Sequence, residues 1–372
     1  MYHPFIQFTI PKIGQALVAV LLYANFLQLP FLLPFAESLP LLYLLLPLVL
    51  LWGLSYLSRD PLGPGMIFVA HLTALYVLCS GVNLAAHFVG GRFGQVWDAL
   101  YLGGVLPWVL TCGYIGWGRR RARRLCVTHY QLSTTKPLPG GKLRIVQISD
   151  IHPGATMNHA RIPELEEKIN ALQPDLIVLT GDIYDETCPR EEFEAFNALF
   201  ARLQAPLGKY FVYGNHDVGE HFRKAAFTRQ DLEDAFAAGN VRILQDEVVE
   251  VGGLRIVGRK DYLFVQQQRL SPAALLPAGP DGIYTVWLDH EPRELRDSAA
   301  AGADLMLCGH THGGQIWPLG LVAWLFRYNE VNYGLKRYGN AAAIVSGGTG
   351  TWGYQIRTEG KTEIVCIDLT QD

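Results

Sequence analysis

The stretch LIVLTGDIYD, residues 176–185, places five apolar or β-branched residues directly before a glycine and two aspartates. A short apolar run of this kind predicts a buried strand. Outward along the chain in both directions, four more apolar runs also lead directly into polar residues. The polar residues after the five runs are Asp150, His152, Asp182, Asp185, Asn215, His216, Asp217, Asp289, His290, His310 and His312. Because strand ends converge at one edge of an open α/β sheet, we expect these side chains around one point.

The strand candidates alternate with amphipathic stretches, for example Ile162–Leu172 and Glu191–Leu203. This alternation predicts an α/β or layered α+β sandwich over residues 142–372, with a first strand that begins near residue 125. The eight strand candidates are Leu143–Ser149, Leu176–Thr180, Tyr210–Tyr213, Leu254–Val257, Thr285–Leu288, Leu305–Cys308, Ala342–Val345 and Glu363–Ile367.

Each motif taken alone has an ordinary explanation, because Gly, Asn and Asp favour polar turns. Their joint occurrence in one order is far more specific. Imidazole, carboxylate and amide donors suit Mn²⁺ above all, or Fe or Zn²⁺, and the motifs contain no cysteine, which argues against a structural zinc site. These donors are more than a single metal ion needs as ligands. Two divalent metal ions about 3.5–4 Å apart, bridged by one carboxylate, account for the number and suit displacement at phosphorus.

The blocks D-x-H, G-D-x-x-D, G-N-H-D, H and G-H-x-H, in that order, resemble the calcineurin-like metallophosphoesterase superfamily from about Leu125 onward. The resemblance implies a four-layer αββα sandwich. It also implies a first metal held by Asp150, His152, Asp182 and His312, and a second held by Asn215, His290 and His310, with Asp182 as the bridge. His216 is implied as the catalytic histidine that stabilises the transition state or protonates the leaving oxygen, and Asp217 and Asp185 as residues that orient these groups.

The heptapeptide Gly309–Gln315, the loop Gly348–Gly353 and Arg357 are similar to a narrower subgroup. That subgroup includes multi-pass membrane proteins and is similar to enzymes that cleave UDP-2,3-diacylglucosamine. The implied reaction is hydrolysis of a phosphodiester or pyrophosphate bond by a hydroxide that bridges the metals. The dipeptide 354–355 departs from the Gly-Pro-Pro expected there, which leaves the shape of the loop and a role for Arg357 open.

Charge divides the chain into two parts. Residues 1–118 contain six Asp, Glu, Lys or Arg residues, and the other 254 residues contain 59. Four charge-free runs, each long enough to cross a bilayer, predict a multi-pass α-helical membrane domain before the sandwich. The runs are 13–36, 38–58, 61–91 and 99–118. A secretory signal peptide is the alternative for the first run. The net charge of −3 does not favour a nucleic-acid partner.

Residues 119–141 form a predicted basic juxtamembrane segment and linker, because they begin with five arginines within Arg119–Arg124. By the positive-inside rule, the N-terminus and the sandwich are expected on the cytoplasmic side of the cell (inner) membrane. The alternative is a nuclear-import or RNA-binding patch. A polar stripe in the third run predicts either interhelical hydrogen bonds or a polar path. It consists of Thr73, Tyr76, Ser80, Asn83 and His87.

The segment Ile316–Tyr333 follows the last histidine motif and is rich in large apolar residues, among them Trp324. It is expected either to meet the membrane interface and receive acyl chains, with Arg327 near phosphates, or to pack against the edge of the sandwich or the membrane bundle. The expected partners are thus the lipid bilayer and a phosphorylated lipid or nucleotide-lipid substrate. A hydrolase of soluble substrates that is merely tethered, and a non-catalytic sensor or scaffold, are the alternatives. The sequence does not define an oligomeric state.

Overall fold

The computed structural model describes residues 17, 19–57, 64–154, 156–185, 187–217, 226–262, 269–277, 279 and 281–372. Contacts between residues divide the chain into two compact units, Met1–Trp117 and Gly118–Asp372. Each unit has a hydrophobic core of its own.

Helices build the described part of the first unit. Residues 19–26 are helical, and the helices that follow are α1 (Pro34–Ser38), α2 (Pro40–Leu57), α3 (Pro64–Val89), α4 (Gly91–Tyr101) and α5 (Val105–Ala122). By length and composition, two apolar helical stretches could cross a membrane, Gly65–Val89 and Gly91–Ala122. The second stretch is interrupted between α4 and α5, where Gly103 has a φ of 58°.

The prediction of four membrane spans is therefore only partly supported. The runs 61–91 and 99–118 correspond to the two long apolar stretches. The run 38–58 contains α2, whose apolar part, Pro40–Tyr56, is shorter. The run 13–36 lies partly outside the described residues, and within it the helix gives way to turns after residue 26. Pro30 explains that break, because proline lacks the N–H that a continuing helix would donate to the carbonyl of Phe26.

The polar stripe of α3 forms hydrogen bonds with neighbouring segments. The hydroxyl of Tyr76 donates to the carbonyl of Gly104 at 2.8 Å and accepts from the indole of Trp108 at 2.7 Å. The hydroxyl of Ser80 accepts from Asn25 at 3.3 Å. These contacts favour the interpretation of the stripe as interhelical hydrogen bonding.

In its described part, the second unit contains twelve strands and six α-helices. The strands are β1 (Leu125–Thr134), β2 (Lys142–Ile148), β3 (Leu176–Thr180), β4 (Lys209–Val212), β5 (Val241–Ile243), β6 (Glu247–Val251), β7 (Leu254–Gly258), β8 (Tyr284–Leu288), β9 (Leu305–Cys308), β10 (Gly334–Tyr338), β11 (Ala341–Val345) and β12 (Thr362–Gln371). The helices are α6 (Ile162–Leu172), α7 (Arg190–Arg202), α8 (Arg229–Ala238), α9 (Pro272–Leu275), α10 (Leu295–Ala301) and α11 (Leu319–Leu325).

Two mixed sheets pack face to face, with strand orders β1-β12-β2-β3-β4-β5 and β10-β11-β9-β8-β7-β6. Strands β2 to β5 are parallel, as are β7, β8, β9 and β11. Buried side chains from both sheets, such as Ile145 and Leu307, fill the space between them. Side chains of α6, α7 and α8 pack with the other face of the first sheet, and those of α9 and α10 with the second. The predicted α/β sandwich is confirmed.

Most of the segment 119–141 is regular structure, and its strand begins where a first strand near residue 125 was expected. Helix α5 continues to Ala122, and β1 begins at Leu125. Ten residues of β1 pair in parallel with β12, from Leu125 opposite Thr362 to Thr134 opposite Gln371. This hydrogen-bonded ladder makes the segment part of the first sheet.

Within the second unit, the last turn of α5 is held by hydrogen bonds to backbone groups. The guanidinium of Arg121 donates to the carbonyls of Thr358 at 3.0 Å and Gly360 at 2.7 Å. In return, the N–H of Arg357 donates to the carbonyl of Gly118 at 3.0 Å. Arg121 therefore has a structural role in this unit besides any effect on membrane orientation.

Candidate metal centre

Six of the predicted ligands form two clusters at the carboxyl ends of β2, β3, β8 and β9. The first cluster is Asp150, His152 and His312, and the second is Asp182, His290 and His310. In each cluster, one ligand atom from every residue lies within 4.8 Å of the others. The convergence of strand ends therefore brings together residues that are up to 162 positions apart in the sequence.

Asp182 joins the two clusters. Its Oδ2 lies 3.1 Å from Nε2 of His290 in its own cluster and 3.6 Å from Nε2 of His152 in the other. Its Oδ1 accepts the backbone N–H of His216 at 2.8 Å. One carboxylate thus faces both groups of donors and is itself held in place.

Asn215, at the end of β4, completes the second cluster. Its Oδ1 lies 3.0 Å from Nδ1 of His310 and 3.2 Å from Nε2 of His290. Those two nitrogens are 3.3 Å apart. The amide oxygen and the two imidazole nitrogens therefore converge on the same small volume.

Five of the seven predicted ligands have a backbone that L-residues rarely adopt. The φ angles are 49° for Asp150, 42° for His152, 52° for Asp182, 70° for His310 and 50° for His312. Such left-handed conformations of non-glycine residues carry a cost of order 1–3 kcal/mol each, and they concentrate at functional sites. The surrounding packing therefore holds these loops in a shape that the chain alone would not choose.

Three of the five motifs contain a glycine that close packing requires. A methyl group on Gly309 would overlap the side chains of Ser149 and Asp150, and one on Gly214 would overlap the carboxylate of Asp182. At Gly181, φ is 81°, and a methyl group would overlap the ring of His290. Only glycine lets the motif backbones approach the ligand side chains this closely.

Charges inside the site are mutually stabilised. Burial alone would raise the pKa of Asp182, but the charges of His290 and His152 lower it well below its usual range. Burial alone would lower the pKa of His290, but Asp182 raises it well above its usual range. For His310, burial and the charge of His290 lower the pKa to about 3. Both effects favour the neutral form of His310, which is the form that binds a metal.

The donor set fits divalent cations. Two buried imidazole nitrogens, Nε2 of His152 and Nδ1 of His312, have no hydrogen-bond partner among the described residues. Buried polar atoms are normally satisfied, so such orphaned atoms indicate a missing ligand. Nitrogen and oxygen donors without thiolates suit Mn²⁺, Fe or Zn²⁺.

His216 lies beside the first cluster and is partly exposed. Its ring centroid is 5.2 Å from that of His152 and 5.5 Å from that of Trp352. Together with the hydrogen bond between its backbone N–H and Asp182, these contacts fix the ring at the rim of the cluster. A molecule that approaches the cluster from outside can therefore contact the imidazole of His216.

Asp217 and Asp185 lie behind the ligands. Asp217 is completely buried, and burial together with the charge of Asp182 raises its pKa to about 7. Its carboxylate accepts the backbone N–H groups of Asp182 at 2.6 Å, Tyr184 at 2.9 Å and Gly214 at 2.9 Å. Asp217 therefore acts on the ligand loops and does not face a substrate. Oδ2 of Asp185 lies 3.2 Å from Nδ1 of His152, where it can orient that imidazole.

Arg357 is also completely buried, so it does not face a substrate either. Its guanidinium donates to the carbonyl of His312 at 2.6 Å and to that of Gly350 at 2.7 Å. Gln315 joins the same loops, because its amide donates to the carbonyl of Trp352 at 3.0 Å and accepts the N–H of Trp352 at 3.1 Å. These two side chains hold the glycine-rich loop against the last histidine motif.

Sequence reasoning missed Trp352, Gln315 and Asp261 as individual residues. Burial raises the pKa of Asp261 to about 7, although the nearby charge of His290 lowers it. Asp261 follows β7, so the rule that polar residues after strand ends gather at one edge could have found it. The contact of Trp352 with His216 is a tertiary contact without a local signal.

Trp324 and Arg327 lie outside the two clusters, in and after α11. Trp324 and Phe326 are each 67% exposed, and Arg327 is exposed as well. In the same segment, Ile316 and Val331 are buried. The exposed aromatic residues contradict the interpretation in which they pack the edge of the sandwich.

Comparisons with known proteins agree with this site. A family model described as calcineurin-like phosphoesterase matches residues 143–314. An uncharacterized metallophosphoesterase of Aquifex aeolicus is 30% identical over 254 residues, which cover 66% of this chain and 92% of that protein. One of Helicobacter pylori is 28% identical over 232 residues, or 61% of this chain and 60% of that protein.

A bovine (Bos taurus) transmembrane protein with metallophosphoesterase domain is 30% identical over 243 residues, which cover 61% of this chain and 53% of that protein. The chain thus spans only part of the length of the Helicobacter and bovine relatives.

Replacing Arg357 tests how the loops are held. In Arg357→Met, the carbonyls of His312 and Gly350 lose their donor, so we expect metal affinity to fall about 10- to 100-fold, as is usual when a residue that supports a ligand is removed. Metal titration followed by elemental analysis measures the change. Arg357→Lys should recover part of the affinity, and Arg202→Met, at an exposed ion pair with Glu166, is the control. Unchanged affinity in Arg357→Met would contradict the assignment.

Proposed function

This chain belongs to the calcineurin-like metallophosphoesterases, and we propose that it is a membrane-anchored hydrolase of phosphodiester or pyrophosphate bonds with two divalent cations. One observation carries the proposal, the pair of donor clusters that meet at Asp182. Asp150, His152 and His312 would hold one cation, and Asn215, His290 and His310 the other, with Asp182 shared. When bound, such a metal pair neutralises charge on a phosphoryl group and lowers the pKa of water from 15.7 to about 7.

His216 is the group that the proposal assigns to proton transfer. It is partly exposed, and its backbone and ring are held by Asp182, His152 and Trp352. A histidine in this position can give a proton to the oxygen that leaves phosphorus, so that the product does not depart as an unstable alkoxide. Its fixed orientation reduces the entropy that the step would otherwise cost.

The remaining residues of the site orient the ligands, and burial excludes water from them. Asp185 can fix the ring of His152, and Asp217 holds the loops of Asp182 and Gly214 by three backbone hydrogen bonds. Most of the ligands are buried, which keeps water away from their charges and strengthens every electrostatic contact. The donor set thus keeps its shape through the reaction, as electrostatic stabilisation of a transition state requires.

We further propose that the substrate is a lipid-linked phosphate, such as UDP-2,3-diacylglucosamine. The support is the apolar helices Gly65–Val89 and Gly91–Ala122, which can anchor the chain, and the exposed apolar surface of α11. Trp324 and Phe326 have the amphipathic or apolar rings that favour a membrane interface. Incubating the Mn²⁺-loaded protein with a membrane lipid extract and identifying the consumed species by mass spectrometry tests this proposal. If only soluble phosphodiesters are hydrolysed, the proposal of a lipid substrate is wrong, and the protein is a tethered hydrolase of soluble substrates.

Asp182→Asn tests the shared carboxylate. Because asparagine keeps the size but loses the charge that faces both clusters, we expect the metal content to fall from about two ions per chain to below one. Elemental analysis after gel filtration measures it, and Asp297→Asn, on the exposed face of α10, is the matched control. Two ions still bound in Asp182→Asn would rule out the shared role.

His216→Ala tests the proton donor. We expect metal content to stay near that of the wild type while kcat falls by about 10²- to 10⁴-fold, the usual effect of losing a general acid. Hydrolysis of a dialkyl phosphodiester, whose alkoxide leaving group needs a proton, gives the rate, and the loss should shrink for bis(p-nitrophenyl) phosphate, whose p-nitrophenolate leaves without one. A fully active variant would exclude His216 from the reaction.

Trp324→Glu tests the lipid proposal. A carboxylate on the exposed face of α11 would oppose contact with a bilayer, so we expect the ratio of lipid-extract hydrolysis to bis(p-nitrophenyl) phosphate hydrolysis to fall about tenfold. Trp324→Phe should restore the ratio. If the glutamate variant keeps the wild-type ratio in nanodiscs, acyl-chain entry over α11 is wrong.

A further inference from the structure

A cleft of about 870 Å³ lies in the second unit beside α11 and is lined by four basic side chains. They are Arg293, Arg296, Arg327 and Lys336, and the aromatic rings of Tyr262 and Tyr328 also line it. Its volume is typical of sites that take a ligand the size of a nucleotide. None of these six residues is among the metal-ligand groups.

The cleft carries an excess of positive charge, although the whole chain has a net charge of −3. Its acids, Glu294 and Glu330, already have partners. Glu294 lies 2.8 Å from the guanidinium of Arg259, which is outside the cleft. Glu330 accepts the N–H of Leu295 at 2.9 Å and the hydroxyl of Tyr338 at 3.0 Å.

Two of the cleft arginines remain available for a ligand. The ion pairs described around the cleft involve Arg259, Arg269 and Arg293, whereas neither Arg296 nor Arg327 pairs with a carboxylate among the described residues. Both are exposed. A guanidinium presents paired N–H donors whose geometry matches the oxygens of a phosphate.

Covalent and hydrogen-bonded connections link the cleft to the metal centre. Arg293 is three residues beyond His290, and its guanidinium lies 4.7 Å from the ring centroid of Tyr262. On the other side, Thr311, between His310 and His312, donates to the carbonyl of Asn332 at 2.6 Å. The loop after His290 therefore forms part of the cleft wall, and the loop of His310 is hydrogen-bonded to Asn332, two residues beyond the cleft residue Glu330.

We propose that this cleft binds a second phosphate group of the substrate, away from the phosphorus that is attacked, and that Arg327, Arg296 and Lys336 select for it. This inference rests on the proposed hydrolase function and narrows its substrate class to molecules with two phosphate groups. The two groups have separate sites, so the second phosphate contributes to binding and not to the reaction itself.

Two p-nitrophenyl esters that differ by one phosphate test the inference with the Mn²⁺-loaded full-length protein. They are thymidine 5′-(p-nitrophenyl phosphate) and the same ester with a 3′-phosphate. We expect kcat/KM to be at least about tenfold higher for the bisphosphate, mainly through KM, because hydrogen bonds to charged groups are stronger than those between neutral groups. In Arg327→Gln/Lys336→Gln this ratio should fall towards one. Arg327→Lys should keep most of it, and Arg202→Gln, outside the cleft, should keep all of it.

The possible results test the cleft proposal and the proposed hydrolase function separately. Equal kcat/KM for both esters in the wild type, or an unchanged ratio in the double variant, overturns the cleft proposal and leaves the hydrolase intact. If neither ester is hydrolysed, the proposed function fails, and equilibrium dialysis of thymidine 5′-phosphate against the 3′,5′-bisphosphate still decides the cleft. A ratio that is lost in nanodiscs with phosphatidylglycerol but kept with phosphatidylcholine would assign the cleft to a lipid headgroup instead.

Discussion

Asp150 and Asp182 bring two carboxylates into one buried site, and a charge can persist there only where positive or proton-donating groups surround it. Asp182 has His290 and His152 as close neighbours. Asp150 accepts the N–H of His310 at 3.0 Å and the hydroxyl of Ser149. This compensation explains the rest of the arrangement, from the left-handed ligand loops to the glycines that let them close. The same carboxylate and imidazole groups form a donor set that suits divalent cations.

The sequence allowed prediction of the ligand set because the signal is local. Each apolar run ends in polar residues, and the parallel strands β2, β3 and β4 must end at the same edge. The supporting residues could not be predicted in the same way. Arg357 was named from the sequence, but its role, like that of Trp352 and Gln315, depends on contacts with loops about 35 to 140 positions distant, which only the folded chain brings together.

The strands of the fold also differ in how strong their local sequence signal is. The eight predicted strands all exist, and they are buried runs in the two sheets. The four that were not assigned a range, β1, β5, β6 and β10, are the outer strands of those sheets. Edge strands have a solvent-facing side, so polar residues interrupt their apolar pattern. In β1, for example, only Leu125 and Leu132 are buried. In the first unit, length and proline content decided which apolar runs remained candidate spans.

The hydrogen bonds that the last turn of α5 forms within the second unit determine where a fragment that contains the complete hydrolase has to start. A fragment that starts at Leu125 keeps β1 to β12 but loses Arg121, which donates to the carbonyls of Thr358 and Gly360. Those carbonyls flank the loop from which Arg357 holds His312. A fragment meant to keep the whole second unit should therefore begin at Gly118, inside a helix, and not at the start of the first strand.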